Sequence, residues 1–175
     1  NNYQIRKNVL QYDDVVNKQR EIIYGQRMQV LNGEDLSEYY LKMIQSKSQD
    51  IVDSCCGEMT DPRHWNWDLL KSELTGFLTS YQIDEIIREK DKYNKEKLQQ
   101  VIEEGILDRY RKKEKEVGPE LMRELERVVL LRVVDEKWMD HIDALDQLRY
   151  GIGLRSYGQR DPVLEYKFEA FEMFD

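Results

Sequence analysis

Proline occurs only three times in this chain, at positions 62, 119 and 162, and the stretches between hold apolar residues at helical spacing. Because proline interrupts helices and central strands alike, these stretches permit long unbroken elements. Three prolines and 9 glycines among 175 residues are too few for the frequent turns of an all-β sandwich. The chain is therefore predicted to be all-α.

The first predicted helix is long and runs from Gln4 to Asn32. Its apolar residues recur at steps of three, four or seven positions, namely Ile5, Val9, Tyr12, Val16, Ile23 and Val30. That spacing is one face of a helix, and Asn32-Gly33 is a suitable place for it to end. At 1.5 Å per residue the helix is about 40 Å long, a length typical of a strut between other units.

The following part of the chain holds shorter apolar patterns separated by turn signals. They predict helices around residues 36–55, 70–78, 83–87 and 98–106, with breaks at Gly57 and Asp61-Pro62. Charge-dense runs at 88–97 and 109–116 are typical of solvated helix faces. Gly118-Pro119 is the clearest boundary, since glycine often ends a helix and proline often begins one.

The last part of the chain predicts a helical hairpin. Apolar residues from Leu121 to Leu148 indicate a helix of about thirty residues. The glycine-bearing run 150–158 is predicted to end it, and Asp161-Pro162 begins a second helix with Asp161 as its N-cap. We expect the hairpin turn within 150–161, and we expect the helices over 4–32 and 121–148 to pack lengthwise. Residues 34–118 would then be an insertion.

Charge narrows the choice of partners. Acidic residues outnumber basic ones by 35 to 27, a net charge of −8, which disfavours nonspecific nucleic-acid binding. Arg149, Arg155 and Arg160 nevertheless predict a cationic tip on the hairpin. No run of 18 apolar residues occurs, so we expect no membrane-spanning helix. The chain ends at Asp175 within an apolar pattern, and we expect it to be a piece of a longer protein.

Residue patterns for catalysis or metal binding are nearly absent. There is no P-loop motif, and Gly151-x-Gly153 lacks the third glycine and the preceding strand of a dinucleotide fingerprint. The segment alone is therefore not expected to bind or hydrolyse ATP. His141 does not share a helix face with Asp140, because adjacent helical positions diverge by about 100°. The adjacent Cys55-Cys56 are expected to be buried or half-buried thiols of a reducing compartment.

Four stretches carry a resemblance to a known family. These are YDDVVNKQR at 12–20, LRVVDEKW at 131–138, GIGLRSYGQRDP at 151–162 and the run from Glu165 to Phe174. Together they resemble SecA, the bacterial preprotein translocase ATPase. The resemblance implies a first scaffold part at 1–33, a helical wing domain at 34–118, and a scaffold continuation with the two-helix finger at 119–175.

The same resemblance implies where the chemistry of the family lies. The two ATP-binding motor folds, a preprotein-crosslinking domain and a C-terminal tail of the family have no counterpart in this sequence. ATP and Mg²⁺ would thus belong to the motor domains, with no cofactor or metal in this segment. Implied partners are the SecY channel complex, an unfolded preprotein, the remaining SecA domains and, through the parent protein, an acidic-lipid membrane surface. The implied location is the cytoplasm, peripheral to the inner face of the plasma membrane.

The finger tip is where the resemblance implies contact with preprotein and channel. The residues concerned are Tyr157, Arg155, Gly153 and Gly158. Tyr150 stands where a polar residue is expected, which makes it a second candidate for the aromatic contact. A tyrosine suits this task because its ring grips a polypeptide without reading its sequence.

Two other classes of function fit the residues without the resemblance. One is a helical regulatory or adaptor module with no transport role. The other is a helical nucleic-acid binder that acts through the arginines of the tip. Identifying the binding partner would distinguish these hypotheses from a role in transport.

Overall fold

A computed structural model of the protein describes residues 1–33, 35–155 and 161–175, with Arg155 described by its backbone alone. Within these ranges every regular element is helical. The helices are α1 (Asn2–Leu31), α2 (Ser37–Cys56), α3 (Trp67–Leu74), α4 (Ser80–Arg88), α5 (Lys95–Val117), α6 (Pro119–Arg155) and α7 (Pro162–Phe174), with single 3-10 turns at Pro62–His64 and Lys90–Lys92. The all-α prediction is confirmed.

Local sequence accounts for most helix ends. Thr79 is the N-cap of α4 and forms a capping box with Gln82. The Thr79 hydroxyl accepts from the backbone N–H of Gln82, and Gln82 Oε1 accepts from the backbone N–H of Thr79 at 2.9 Å. Asp161 caps α7, accepting from the Val163 amide at 3.0 Å, as predicted. At Gly118 the chain has φ 87°, a conformation that favours glycine.

Residues 35–124 form one compact unit. Its core draws on α2, α3, α4 and α5 and includes the fully buried Ile51, Leu74, Leu98 and Ile102. Cys55 and Cys56 are free thiols buried in this core at the end of α2, and burial raises the pKa of each to about 11. The thiols therefore stay protonated at neutral pH.

A second compact unit combines residues 1–34 with 125–175. It consists of α1, most of α6 and α7. Its buried cluster of side chains is Leu145, Ile152, Tyr166 and Ala170, with Tyr12, Val15, Val16 and Leu148 of α1 and α6 packed against it.

Part of the range 150–161, in which the hairpin turn is predicted, is helical in the structure. Residues 150–155 are helical, so α6 continues through Gly151 and Gly153 to Arg155. Neither glycine has a positive φ, and a Cβ at either position would meet nothing within 4 Å. They are therefore not turn glycines. Ile152 between them is fully buried, and this packing outweighs the low helix propensity of its neighbours.

Candidate functional site

Aromatic packing on α1 holds the α6–α7 pair near the end of α6 and the start of α7. Tyr166 of α7 is almost fully buried, and its ring meets Tyr12 of α1 edge-on with centroids 4.8 Å apart. Ala170, one turn further along α7, has no exposed surface. Because Leu145 and Ile152 of α6 join the same cluster, three helices share this small core.

Arg149 pairs with α1 rather than forming part of a cationic tip. Its guanidinium carbon lies 4.9 Å from the Tyr12 ring centroid, and its Nη1 lies 3.5 Å from Asp13 Oδ1. Burial raises the pKa of Tyr12 and of Tyr166, and the charge of Arg149 opposes both shifts. The expectation that Arg149 adds charge to the tip is therefore corrected.

A buried polar contact joins all three helices at Gln19. Its Nε2 donates to the Ala170 carbonyl of α7 at 3.2 Å, and its Oε1 lies 2.7 Å from His141 Nε2 of α6. A carbonyl can only accept, so the amide nitrogen of Gln19 must face Ala170. His141 then has to present Nε2–H to the amide oxygen, which assigns its neutral tautomer.

Two aromatic rings pack near the half-buried His141. Its ring centroid lies 5.7 Å from that of Trp138 and 5.4 Å from that of Phe174. Burial lowers the pKa of His141 because it disfavours the imidazolium form. Sequence reasoning missed Gln19, although it lies on the same helix face as Tyr12, Val16 and Ile23, where a polar residue signals a buried partner.

An ion pair links α1 to α6 beyond this point. Arg27 donates from Nε to Asp135 Oδ1 at 3.0 Å and from Nη2 to Oδ2 at 3.1 Å. This bidentate contact lowers the pKa of Asp135 and raises that of Arg27. The partners of positions 13, 19 and 27 are 149, 141 and 135, so the two helices run antiparallel.

Side-chain contacts at positions 13, 19 and 27 place α1 alongside α6, as predicted, but the closer helix pair in this unit is α1 with α7, which was not predicted. The predicted packing does not extend to the start of α1. Ile5 is 62% exposed, and Val9 is also exposed, although both lie on the predicted apolar face.

Comparison with known proteins shows the family of this chain. A family model described as the SecA wing and scaffold domain matches residues 1–175. The chain belongs to this family.

Relatives named protein translocase subunit SecA match almost the whole chain. The protein from Acetivibrio thermocellus is 54% identical over 175 residues, covering 99% of this chain and 19% of the relative. Those from Desulforudis audaxviator and Syntrophomonas wolfei are 46% and 49% identical, each over 99% of this chain and 20% and 21% of the relative. The chain therefore spans about a fifth of the length of its SecA relatives.

The predicted contact residues of this SecA segment lie only partly within the described ranges. Tyr150 is 74% exposed, and Leu154, four positions later and so on the same side of α6, is also exposed. Gly153 is exposed between them, and Arg155 is the last residue of α6. Tyr157 and Gly158 lie outside the described residues. The structure thus brings together Tyr150, Gly153 and Leu154, of which Leu154 was not predicted.

The described part of this segment holds neither a metal site nor a membrane-spanning helix. Among the described residues, no group of three or more His, Cys, Asp and Glu side chains is placed to hold a metal ion. No helix in the same ranges is long and apolar enough to cross a membrane.

Proposed function

We propose that this chain is the part of a SecA translocase subunit that passes the motion of an ATP-driven motor to a preprotein. In this proposal α6 and α7 form the two-helix finger, and α1 is the scaffold helix that packs along it. The finger enters the mouth of the SecY channel and touches the unfolded preprotein there. ATP and Mg²⁺ bind the motor domains of the whole protein, and the segment itself is non-catalytic.

The observation that carries this proposal is the contact among three helices. Gln19 hydrogen-bonds across α1, α6 and α7, and Tyr12 packs against Tyr166 and Arg149 a few turns away. A lever transmits force only if its helices keep their orientation, and directional hydrogen bonds hold orientation where apolar contacts alone allow sliding. These contacts reach Arg149 of α6, so the proposed contact residue Tyr150 directly follows the part of the helix that α1 holds.

The exposed end of α6 suits contact with a chain of arbitrary sequence. Tyr150 and Leu154 offer an aromatic ring and an aliphatic group, neither of which reads a particular partner sequence. The family resemblance assigns Tyr157, Arg155 and Gly158 to the same contact with preprotein and channel. The remaining SecA domains, acidic lipid at the inner face of the plasma membrane and a cytoplasmic, peripheral location belong to the same proposal. No nucleic acid is among the partners, since the chain carries a net charge of −8.

The test is a translocation assay with a full-length SecA protein that contains this segment. Tyr157→Ala should lower preprotein transport into SecY-containing vesicles strongly while basal ATP turnover stays near wild type. Tyr157→Phe should be milder, because ring area persists and only the hydroxyl is lost. The transport rate of Tyr150→Ala measures how much the Tyr150 ring contributes to the contact with preprotein.

If Tyr157→Ala and Tyr150→Ala both transport at the wild-type rate, the gripping role is wrong. An adaptor role would instead predict normal transport together with loss of a partner in pull-down experiments.

A further inference from the structure

The unit of residues 35–124 contains a cleft to which the proposed function gives no role. It lies between α4 and α5 and has a volume of about 420 Å³. Leu78, Ile86, Tyr93 and Val101 line it with apolar surface. A Cβ at Gly105 would lie 3.1 Å from Leu78 Cδ2, so glycine at this position lets α5 approach Leu78 closely.

The cleft is bordered by carboxylates. Glu85 and Glu89 border it from the α4 side, and Glu104 and Asp108 lie one turn apart on α5. All four residues are exposed, and Arg88 is the one cationic residue among the residues that line the cleft. The border therefore attracts positive charge, while the apolar lining favours aliphatic or aromatic groups.

Tyr93 gives this cleft a polar group of its own. The residue as a whole is only 7% exposed, but its hydroxyl is not among the buried side-chain atoms that lack a hydrogen bond in the described residues, so solvent reaches the oxygen. Burial raises the pKa of Tyr93, and the charges of Glu89 and Glu85 add to the shift. A polar group of a ligand in the cleft can therefore replace water at this hydroxyl.

The carboxylates do not fit a single metal ion. Among the described residues no three His, Cys, Asp or Glu side chains converge closely enough to bind one. Positive charge must instead be spread over several positions. Glu89 already pairs with Lys92 at 3.9 Å, and in the described part of the chain no ion pair involves Glu85, Glu104 or Asp108. An anionic ligand would be repelled by this border, whereas a cationic one would be attracted.

We infer that the α4–α5 cleft is a docking site for a cationic amphipathic peptide segment of a partner polypeptide. Apolar side chains of the peptide occupy the surface of Leu78, Ile86 and Val101, and its lysine or arginine groups pair with the carboxylates. A polar group of the peptide forms a hydrogen bond with the hydroxyl of Tyr93. The inference is independent of the role proposed for the finger.

The probe is a fluorescent helical peptide of leucine and lysine, about four turns long, titrated against the whole chain by anisotropy at low and moderate salt. The double variant Glu104→Gln/Asp108→Asn should weaken binding about tenfold and reduce its salt dependence. Glu58→Gln/Asp68→Asn is the matched control, because it removes the same charge from exposed positions of the same unit outside the cleft. Circular dichroism checks that both variants fold.

Location is read from backbone amide shifts on peptide addition. Changes concentrated at positions 78, 86, 93 and 101, and little weakening in the control variant, support the inference. Equal weakening by both double variants would show general attraction to an acidic surface and overturn it. Absence of binding, or equal binding of a leucine–glutamate peptide, would overturn it as well.

Discussion

In residues 35–124 the described helices surround fourteen buried apolar side chains, whereas the unit of residues 1–34 and 125–175 has a buried cluster of four in the described part of the chain. The smaller cluster is supplemented by directional contacts, those of Gln19, Arg149 and Arg27. Apolar burial holds a unit together whatever the exact orientation of its helices. Hydrogen bonds and ring contacts instead define one orientation, which suits helices proposed to act as a lever.

Exposed apolar surface follows the same division. α7 leaves Leu164, Phe168 and Phe171 exposed at helical spacing on one side. Because so little of this unit is sealed by its own core, single polar contacts are expected to matter more there than in residues 35–124. Four experiments examine that difference.

The largest effect is expected from Leu74→Ala in the core of residues 35–124. Leu74 is fully buried, so truncation should lower the free energy of unfolding by about 2–5 kcal/mol. Urea unfolding followed by tryptophan fluorescence measures it, since Trp65 reports on this core. The matched control is Leu41→Ala on the exposed side of α2, with an expected change within about 0.5 kcal/mol. Similar losses in both variants would contradict the described core.

Next in size is Gln19→Leu, which removes the contact among α1, α6 and α7. His141 Nε2–H loses its acceptor inside the unit, and the expected loss is about 1–3 kcal/mol. Gln26→Leu on the exposed side of α1 serves as the control and should change little. If Gln19→Leu left the free energy of unfolding in urea unchanged, this unit, too, would depend on apolar burial alone.

A smaller effect concerns pH. Burial lowers the pKa of His141 below its ordinary 6.5, so the unfolded chain binds the proton more readily than the folded one. This contribution to stability is present above pH 6.5 and is lost as pH falls from there towards the folded-state pKa. An NMR titration of the His141 ring, assigned with His64→Gln, should give a value below 6.5. A value at or above 6.5 would show that the ring is not desolvated.

The smallest effect is expected from the Arg27–Asp135 pair. Both side chains are more than a third exposed, so solvent screening limits their interaction to about 0.2–1 kcal/mol. A double-mutant cycle with Arg27→Met and Asp135→Asn isolates this coupling, which should shrink as salt is raised. A coupling above that range that is insensitive to salt would make this pair, rather than Gln19, the main polar link.

Helix positions were largely determined by the sequence. The proline-free apolar pattern predicted α1 at 4–32, against Asn2–Leu31 in the structure, and Asp161-Pro162 marked the start of α7. Such signals are local, since they depend on backbone conformation and on spacing within one helix. Family membership also followed from local stretches of sequence, notably 12–20 and 131–138.

Tertiary structure alone decided which residues meet. Glycines at 151 and 153 predict a turn, yet the burial of Ile152 against α7 keeps α6 helical to Arg155. Arg149 looked like part of a charged tip, and its partners Tyr12 and Asp13 lie more than a hundred positions away. Gln19 and His141 are likewise distant in sequence. Packing and hydrogen bonds between distant positions depend on three-dimensional distance, which the local preferences of single residues do not encode.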